Sequence, residues 1–285
     1  MSDGRVLAPF GRRAAPVTGR SEHGAYVVIS CEDRHGPRPQ AGQFYMLAAG
    51  ARWGGGDGER PFLPRAFSVM RALPGTRELQ FLVEDVGPGT HRLCELGRGD
   101  DLMIVGPLGV GFAVPGDGRS PLLVGGGVGV APLVIWQDQV RSAGADCVEG
   151  IAQAAIPPTV LLGFRDRVRA EAGKALITCA QVATDDGSLY HHGPVTELMA
   201  NELDRDLHRH VYACGPPAML EAVRAICAER EVPAQLALES GMACGFGACF
   251  GCVVPTRGGY VRLCVDGPVL DAAALETAVV PGAGH

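Results

Sequence analysis

Four cysteines crowd into the 21 residues from Cys244 to Cys264: Cys244, Cys249, Cys252 and Cys264. Three thiols spaced Cys-x4-Cys-x2-Cys on one loop, with a fourth after eleven intervening residues, have the spacing of plant-type [2Fe–2S] ligation. Gly245, Gly247 and Gly251 stand between them. There the missing Cβ lets backbone N–H groups turn toward sulfur. A structural zinc site is the alternative chemistry. Its cysteines usually come as two Cys-x2-Cys pairs, and here one such pair is present.

A second constellation is the apolar run Leu122-Leu123-Val124 entering Gly125-Gly126-Gly127-Val128-Gly129-Val130-Ala131-Pro132. A strand that runs through glycines into a helix can bring a diphosphate against backbone N–H donors at the helix start. Pro132 stands where the dinucleotide fingerprint has its third glycine, as a proline suited to a first helical turn. A tight structural turn without ligand is the other reading. Cys214-Gly215-Pro216, again between a strand and a helix, adds a second carboxyl-end loop beside the first, where open α/β sheets bind ligands.

A third constellation pairs Arg65-Ala66-Phe67-Ser68 on a strand with Gly87-Pro88-Gly89-Thr90 leading into a helix. An arginine grips phosphate bidentately, Thr90 is expected to N-cap the helix, and the Gly89 region is expected to present donors to a diphosphate. Ordinary strand sequence is the alternative for Arg-x-Phe-Ser. After the strand Thr159 to Leu162, Asp166 is a candidate acceptor for a ribose hydroxyl, whereas Arg165 and Arg167 would suit a 2′-phosphate.

His91, His191, His192, His208 and His210 fit no single ligand face and read as solvated side chains. Asp85, Asp185 and Asp186 read as turn caps. Cys31, Cys94, Cys147, Cys179 and Cys227 read as small core residues.

These groups need elements to position them. With 285 residues the chain has room for two domains and a small appendage. At 47% hydrophobic and 20% charged, with a net charge of −6, it offers no basic field for nucleic acid. Met1 to Pro16 lacks the apolar core of a signal peptide, and no later segment offers 18 uncharged apolar residues, so a cytoplasmic protein that does not span a membrane is expected. In that setting ten cysteines argue for metal or redox use rather than for disulfides.

From Ala25 to about Gly118, short apolar runs between Gly and Pro breaks predict a closed or nearly closed antiparallel β-barrel, with a mobile loop at Gly50 to Arg60. After Pro121 strands alternate with helices, expected at Ala131 to Ser142, Val195 to Asn201 and Pro217 to Glu231. That alternation predicts an α/β domain on a parallel sheet. The fold class is thus α+β multidomain: a barrel over 1–118, a Rossmann-like unit over 119–235 and a small cysteine-bearing domain over 236–285.

The order of these motifs resembles the ferredoxin-reductase superfamily. Gly106-Pro107-Leu108-Gly109-Val110-Gly111-Phe112, Thr184-Asp185-Asp186-Gly187-Ser188, the run Glu239 to Val254 and Leu263 to Val269 narrow the likeness. Over about residues 22 to 275 the chain resembles the iron–sulfur electron-transfer subunits of NAD-linked (class 1B) dihydroorotate dehydrogenases, which serve pyrimidine biosynthesis. The resemblance implies FAD on the barrel, with Arg65 and Ser68 near the flavin and Gly87, Gly89 and Thr90 at its diphosphate. It implies NAD over Gly125 to Pro132 (Gly125, Gly126, Gly127, Gly129 and Pro132), with Cys214 close to the nicotinamide as the catalytic-site residue and Gly215 and Pro216 beside it. It further implies an FMN-containing catalytic partner in a heterotetramer, since no part of this chain can house a dihydroorotate site and its barrel. Val110 departs from the family's common Asn, Phe67 from the superfamily's frequent Tyr, and Arg141 to Pro158 lengthens a connection. A nicotinamide exchanges hydride and an iron–sulfur cluster single electrons, so a flavin that does both belongs between them. The alternatives are a subunit of another FAD/[2Fe–2S] oxidoreductase, such as sulfide dehydrogenase or ferredoxin:NADP oxidoreductase, and a zinc-stapled nucleotide-binding module.

Overall fold

Six strands with buried apolar faces close on one another: β1 (Arg13–His23), β2 (Tyr26–Glu32), β3 (Phe44–Ala49), β4 (Arg65–Ala72), β5 (Glu78–Glu84) and β6 (Asp101–Leu108). The computed structural model describes residues 11–54, 61–114, 118–143 and 158–280, without the side chains of 141–143. Most of the expected Gly50 to Arg60 loop, most of the Arg141 to Pro158 connection, and Cys147 lie outside them. The barrel order is β1-β2-β5-β4-β3-β6, closed by antiparallel pairing of β1 with β6. Ile29, Tyr45, Leu47 and Phe81 fill its interior, with the Tyr45 and Phe81 rings edge to face at 5.5 Å. Strand β1 starts well before the expected Ala25, and the Arg13 guanidinium ties it down by donating to Asp33 Oδ1 at 2.8 Å and to the Gly106 carbonyl at 2.6 Å. Helix α1 (Pro88–Cys94) follows β5.

The second unit is a seven-stranded sheet. Its parallel strands are β7 (Ser120–Gly126), β8 (Thr159–Phe164), β9 (Ala180–Thr184), β10 (His191–His192), β11 (Arg209–Cys214) and β12 (Ala234–Ala237). Helices α2 (Ala131–Ala143), α3 (Arg167–Leu176), α4 (Val195–Arg205) and α5 (Pro217–Glu229) pack against it. The order β10-β9-β8-β7-β11-β12 reverses direction between β7 and β11, which is a topological switch point. The barrel and sheet meet through a shared apolar core in which Trp136 lies 6.0 Å from Phe112 and 5.1 Å from Tyr212.

The C-terminal segment adds the hairpin β13 (Val253–Thr256) and β14 (Gly259–Arg262), helix α6 (Leu263–Asp266) and strand β15 (Val269–Asp271). Strand β12 runs across the expected 235/236 boundary, and β15 returns to pair antiparallel with it. The cysteine-bearing segment is therefore woven into the α/β sheet. A Val110 N–H bond to the Gly267 carbonyl, at 2.5 Å, ties it to the barrel side as well.

Glu221 fastens the tail. Its carboxylate pairs with Arg224 at 2.6 Å and accepts from Thr277 Oγ1 at 3.0 Å and the Ala278 N–H at 2.6 Å. The Arg224 hydrogen bond, against some desolvation, holds its pKa down at about 2. A carboxyl depressed on folding stabilises above its ordinary pKa, and the contribution is lost as pH falls through the folded value. Wild-type stability should therefore drop between pH 4.5 and about 2 more steeply than that of Glu221→Gln, as read by urea denaturation.

Among the described residues no helix is long and apolar enough to cross a membrane. Two side-chain expectations need correction. Cys179 is exposed in a left-handed turn at φ 59°, not in the core. His210 is buried against Tyr212 and beside Gln235 Nε2, because it sits on the central strand β11.

Candidate redox-cofactor site

The four clustered cysteines arrive in two pairs. Cys252 and Cys264 are buried free thiols with sulfurs 3.1 Å apart, one leading into β13 and the other on α6. Cys244 and Cys249 sit on the irregular loop before β13, hydrogen-bonded to each other. Burial would push the Cys244 thiol up, but the N–H groups of Cys249, Phe246 and Ala248 together with the Cys249 thiol outweigh it and bring the pKa to about 7. Thiolate is the form in which cysteine ligates metal. Burial and the shared contact with Cys252 push Cys264 the other way. The Gly251 N–H points at Cys249 Sγ at 3.4 Å, and the Cys264 N–H at Cys252 Sγ at 3.4 Å. Among the described residues no three His, Cys, Asp or Glu side chains converge on one point. Two thiol pairs suit a two-iron cluster, in which each iron takes two thiolates.

Gly245 and Gly247 take left-handed φ values of 80° and 85°. A Cβ on Gly245 would stand 2.5 Å from Met46 Cγ of β3, so the glycine also seats the cysteine loop against the barrel.

On the barrel, Arg65 opens β4 and its guanidinium lies directly on Gly89: a Cβ there would fall 2.8 Å from Arg65 Nε. The two expected phosphate-directed elements are thus in contact. Arg65 is held by the Leu63 carbonyl at 2.6 Å and by the face of Trp53 at 6.0 Å. Ala66 is exposed, while Phe67 and Ser68 are half-buried further along β4. Thr90 differs from expectation. The N-cap position belongs to Gly87, and Thr90 lies three residues into the helix, its hydroxyl accepting from the Gly87 and Val86 N–H groups at 3.0 and 2.9 Å. By position, the Gly89 and Thr90 N–H groups are the first-turn donors left for an anion beside Arg65.

At the switch point, β7 and β11 pair in register, Gly125 opposite Cys214. A 3-10 turn at Gly127–Val130 leads into α2, with Pro132 in its first turn. The glycines serve packing more than open approach. A Cβ on Gly129 would lie 2.3 Å from the Cys214 carbonyl oxygen, one on Gly126 would meet Met219 and Pro216, and one on Gly125 would meet Leu133 and Leu162. Gly215 presses on Gly126 in turn, and only Gly127 of this set, at φ 55°, faces open space. The two carboxyl-end loops therefore form one close-fitted floor. The Cys214 thiol is fully buried there, and burial and then Glu239 raise its pKa, so it stays protonated at neutral pH. It can pack against a ring and cannot act as a base.

Asp166 lies at the carboxyl edge beside β8, as expected, but both its oxygens are engaged. It N-caps α3 by accepting from the Arg169 N–H at 3.0 Å, and it pairs with the Arg169 guanidinium at 2.6 Å. Arg169 also grips Glu84 of β5 at 2.8 Å, joining the two units. The ribose-acceptor role thus has a structural competitor, and Arg165 stands exposed beside it. Glu239 escaped the residue-level reading. It follows β12 two residues beyond the partner of Cys214, so the strand order alone places it near that thiol.

Residues 239–276 match the family model described as the iron–sulfur cluster binding domain of dihydroorotate dehydrogenase B. The chain is 35% identical over 248 residues to the dihydroorotate dehydrogenase B (NAD(+)) electron transfer subunit of Clostridium acetobutylicum, covering 87% of this chain and 89% of that one. It belongs to that family. The counterpart from Geobacillus kaustophilus is 36% identical, with 82% and 85% covered. Among solved structures the fold matches a chain of an NADH-dependent reduced ferredoxin-NADP oxidoreductase at a TM-score of 0.72 and 23% identity, covering 94% and 92%. For this member of the dihydroorotate dehydrogenase B electron-transfer family, the matched segment holds all four clustered cysteines and Glu239.

Proposed function

We propose that this chain is the electron-transfer subunit of an NAD-linked dihydroorotate dehydrogenase, working in the cytoplasm in a heterotetramer with an FMN-containing catalytic subunit. The carrying observation is the arrangement of three sites in one fold: Arg65 on Gly89 in the barrel, the fitted β7 and β11 turns, and the two thiol pairs of a loop seated on β3. Bound there, FAD, NAD and a [2Fe–2S] cluster supply exchange of electron pairs, hydride and single electrons respectively. In this reading Arg65, Gly89 and Thr90 hold the diphosphate of FAD, with Gly87 setting the turn and Ala66, Phe67 and Ser68 lining the flavin. Gly125, Gly126, Gly127, Gly129 and Pro132 with Cys214, Gly215 and Pro216 form the nicotinamide floor. Cys244, Cys249, Cys252 and Cys264 hold the cluster. Residues 1–118, 119–235 and 236–285 are the FAD, NAD and cluster parts, the last two sharing β12. Because Asp166 is engaged by Arg169, NAD preference rests on the family rather than on that carboxylate.

Anaerobic purification followed by flavin release and metal analysis tests this reading. FAD, with about two irons and two sulfides per chain, is expected for this cluster type. Stoichiometric zinc without sulfide would refute it. Arg65→Ala should weaken FAD retention by about tenfold or more, since a charge-assisted hydrogen bond contributes about 1.5–3 kcal/mol. Unchanged FAD content in that variant would remove Arg65 from the site.

A further inference from the structure

Arg262 closes β14 two residues ahead of Cys264, and its backbone pairs with Val253, the residue after Cys252. Its guanidinium reaches the cysteine loop at two points. Nη1 donates to the Gly247 carbonyl at 3.1 Å, between Cys244 and Cys249, and the group lies 5.4 Å from the centre of the Phe250 ring, directly after Cys249. Phe250 holds a left-handed backbone at φ 58°, which a bulky residue adopts only where its surroundings hold it. The guanidinium on its ring is one such hold. Gly247 passes the contact onward, because its N–H faces the Cys264 sulfur. One arginine thus fastens the loop that carries Cys244 and Cys249 to the segment that carries Cys264. Asp266 sets the arginine in turn: its Oδ2 accepts from the Arg262 N–H at 3.0 Å and lies 3.8 Å from Nε. The two side chains are 35% and 28% exposed, so solvent and salt screen their charges incompletely.

We propose that Arg262 is a positioning residue that raises the reduction potential of the centre held by Cys244, Cys249, Cys252 and Cys264, with Asp266 opposing it; the inference rests on the cluster reading above. One electron passes from a reduced flavin, which is oxidised, to the centre, which gains one negative charge. Net charge and hydrogen bonds to the sulfurs set the potential of such a centre. The guanidinium favours the added charge. It also steadies Gly247, whose N–H donates toward sulfur and acts in the same direction. The Asp266 carboxylate acts against both, so the pair sets the potential as a balance of two opposed charges that share one hydrogen-bonded turn.

Anaerobic dithionite titration of the purified holoprotein, with the reduced centre read by EPR and iron and sulfide measured on each variant, tests the proposal. Arg262→Gln should make the centre harder to reduce by about tenfold in its equilibrium constant, about 59 mV for one electron. Asp266→Asn should make it easier to reduce, and Arg262→Lys, which keeps the charge, should stay closer to wild type than Arg262→Gln. Should Arg262→Gln fail to hold the centre, the sign of the Asp266→Asn shift decides: easier reduction supports the proposal, and unchanged or harder reduction overturns it. Unchanged potentials in Arg262→Gln and Asp266→Asn, shifts of one sign in both, or an Arg262→Lys shift equal to that of Arg262→Gln would overturn it while leaving the cluster reading standing. A wild-type chain without iron and sulfide would refute the cluster reading itself.

Discussion

Gly129→Ala should force the β7 and β11 turns, the nicotinamide floor we propose, apart: NADH-dependent flavin reduction is expected to fall by about tenfold or more, with a stability loss toward the upper end of the 1–3 kcal/mol typical of overpacking. The added methyl would lie 2.3 Å from the Cys214 carbonyl oxygen and 2.7 Å from Gly215 Cα. Both are backbone atoms at the carboxyl end of β11, so the two turns must separate. Gly127→Ala provides the contrast. Its methyl meets nothing within 4 Å, and only the left-handed backbone at φ 55° costs about 1–2 kcal/mol. That variant should raise the nucleotide KM with the turn packing intact. Urea denaturation and stopped-flow reduction read the two effects separately, and equal behaviour of the two variants would contradict the packing role of Gly129.

Cys252→Ser and Cys264→Ser should each reduce iron and sulfide from about two per chain to near zero, with loss of the reduced-cluster EPR signal. The buried sulfurs form one of the two thiol pairs, and serine oxygen is a poor replacement for thiolate in such a site. Flavin content and reduction by NADH should persist, because Arg65, Gly89 and the β7 and β11 turns lie on other elements. Retention of a full cluster in both variants would exclude this pair as ligands.

The cysteine spacing, the glycine-rich strand end and the Arg65 strand were legible because each packs its chemical requirement into a few consecutive residues. Strand β1 was not, since only Ala15 and Val17 of its eleven residues are buried and charged side chains interrupt the alternation. Helix α3 was missed because its inner face is small: Ala170, Ala172, Gly173 and Leu176, with Gly173 pressed against the Phe164 ring. Strand β15 has three residues, and its pairing with β12 is set by the whole C-terminal path. The hydrogen-bond partners of Thr90 and Asp166 lie beyond the reach of spacing. Their partners, the Val86 and Gly87 N–H groups and the Arg169 side chain, follow from where each helix begins, which spacing leaves open by a few residues.

The central claim is a division of labour between this chain and its catalytic partner. Anaerobic stopped-flow mixing of the isolated holoprotein with NADH, then with dihydroorotate, tests it most directly. Rapid bleaching of the flavin by NADH is expected, and none by dihydroorotate until an FMN-containing catalytic subunit is added. Rapid reduction of the isolated chain by dihydroorotate would contradict the account.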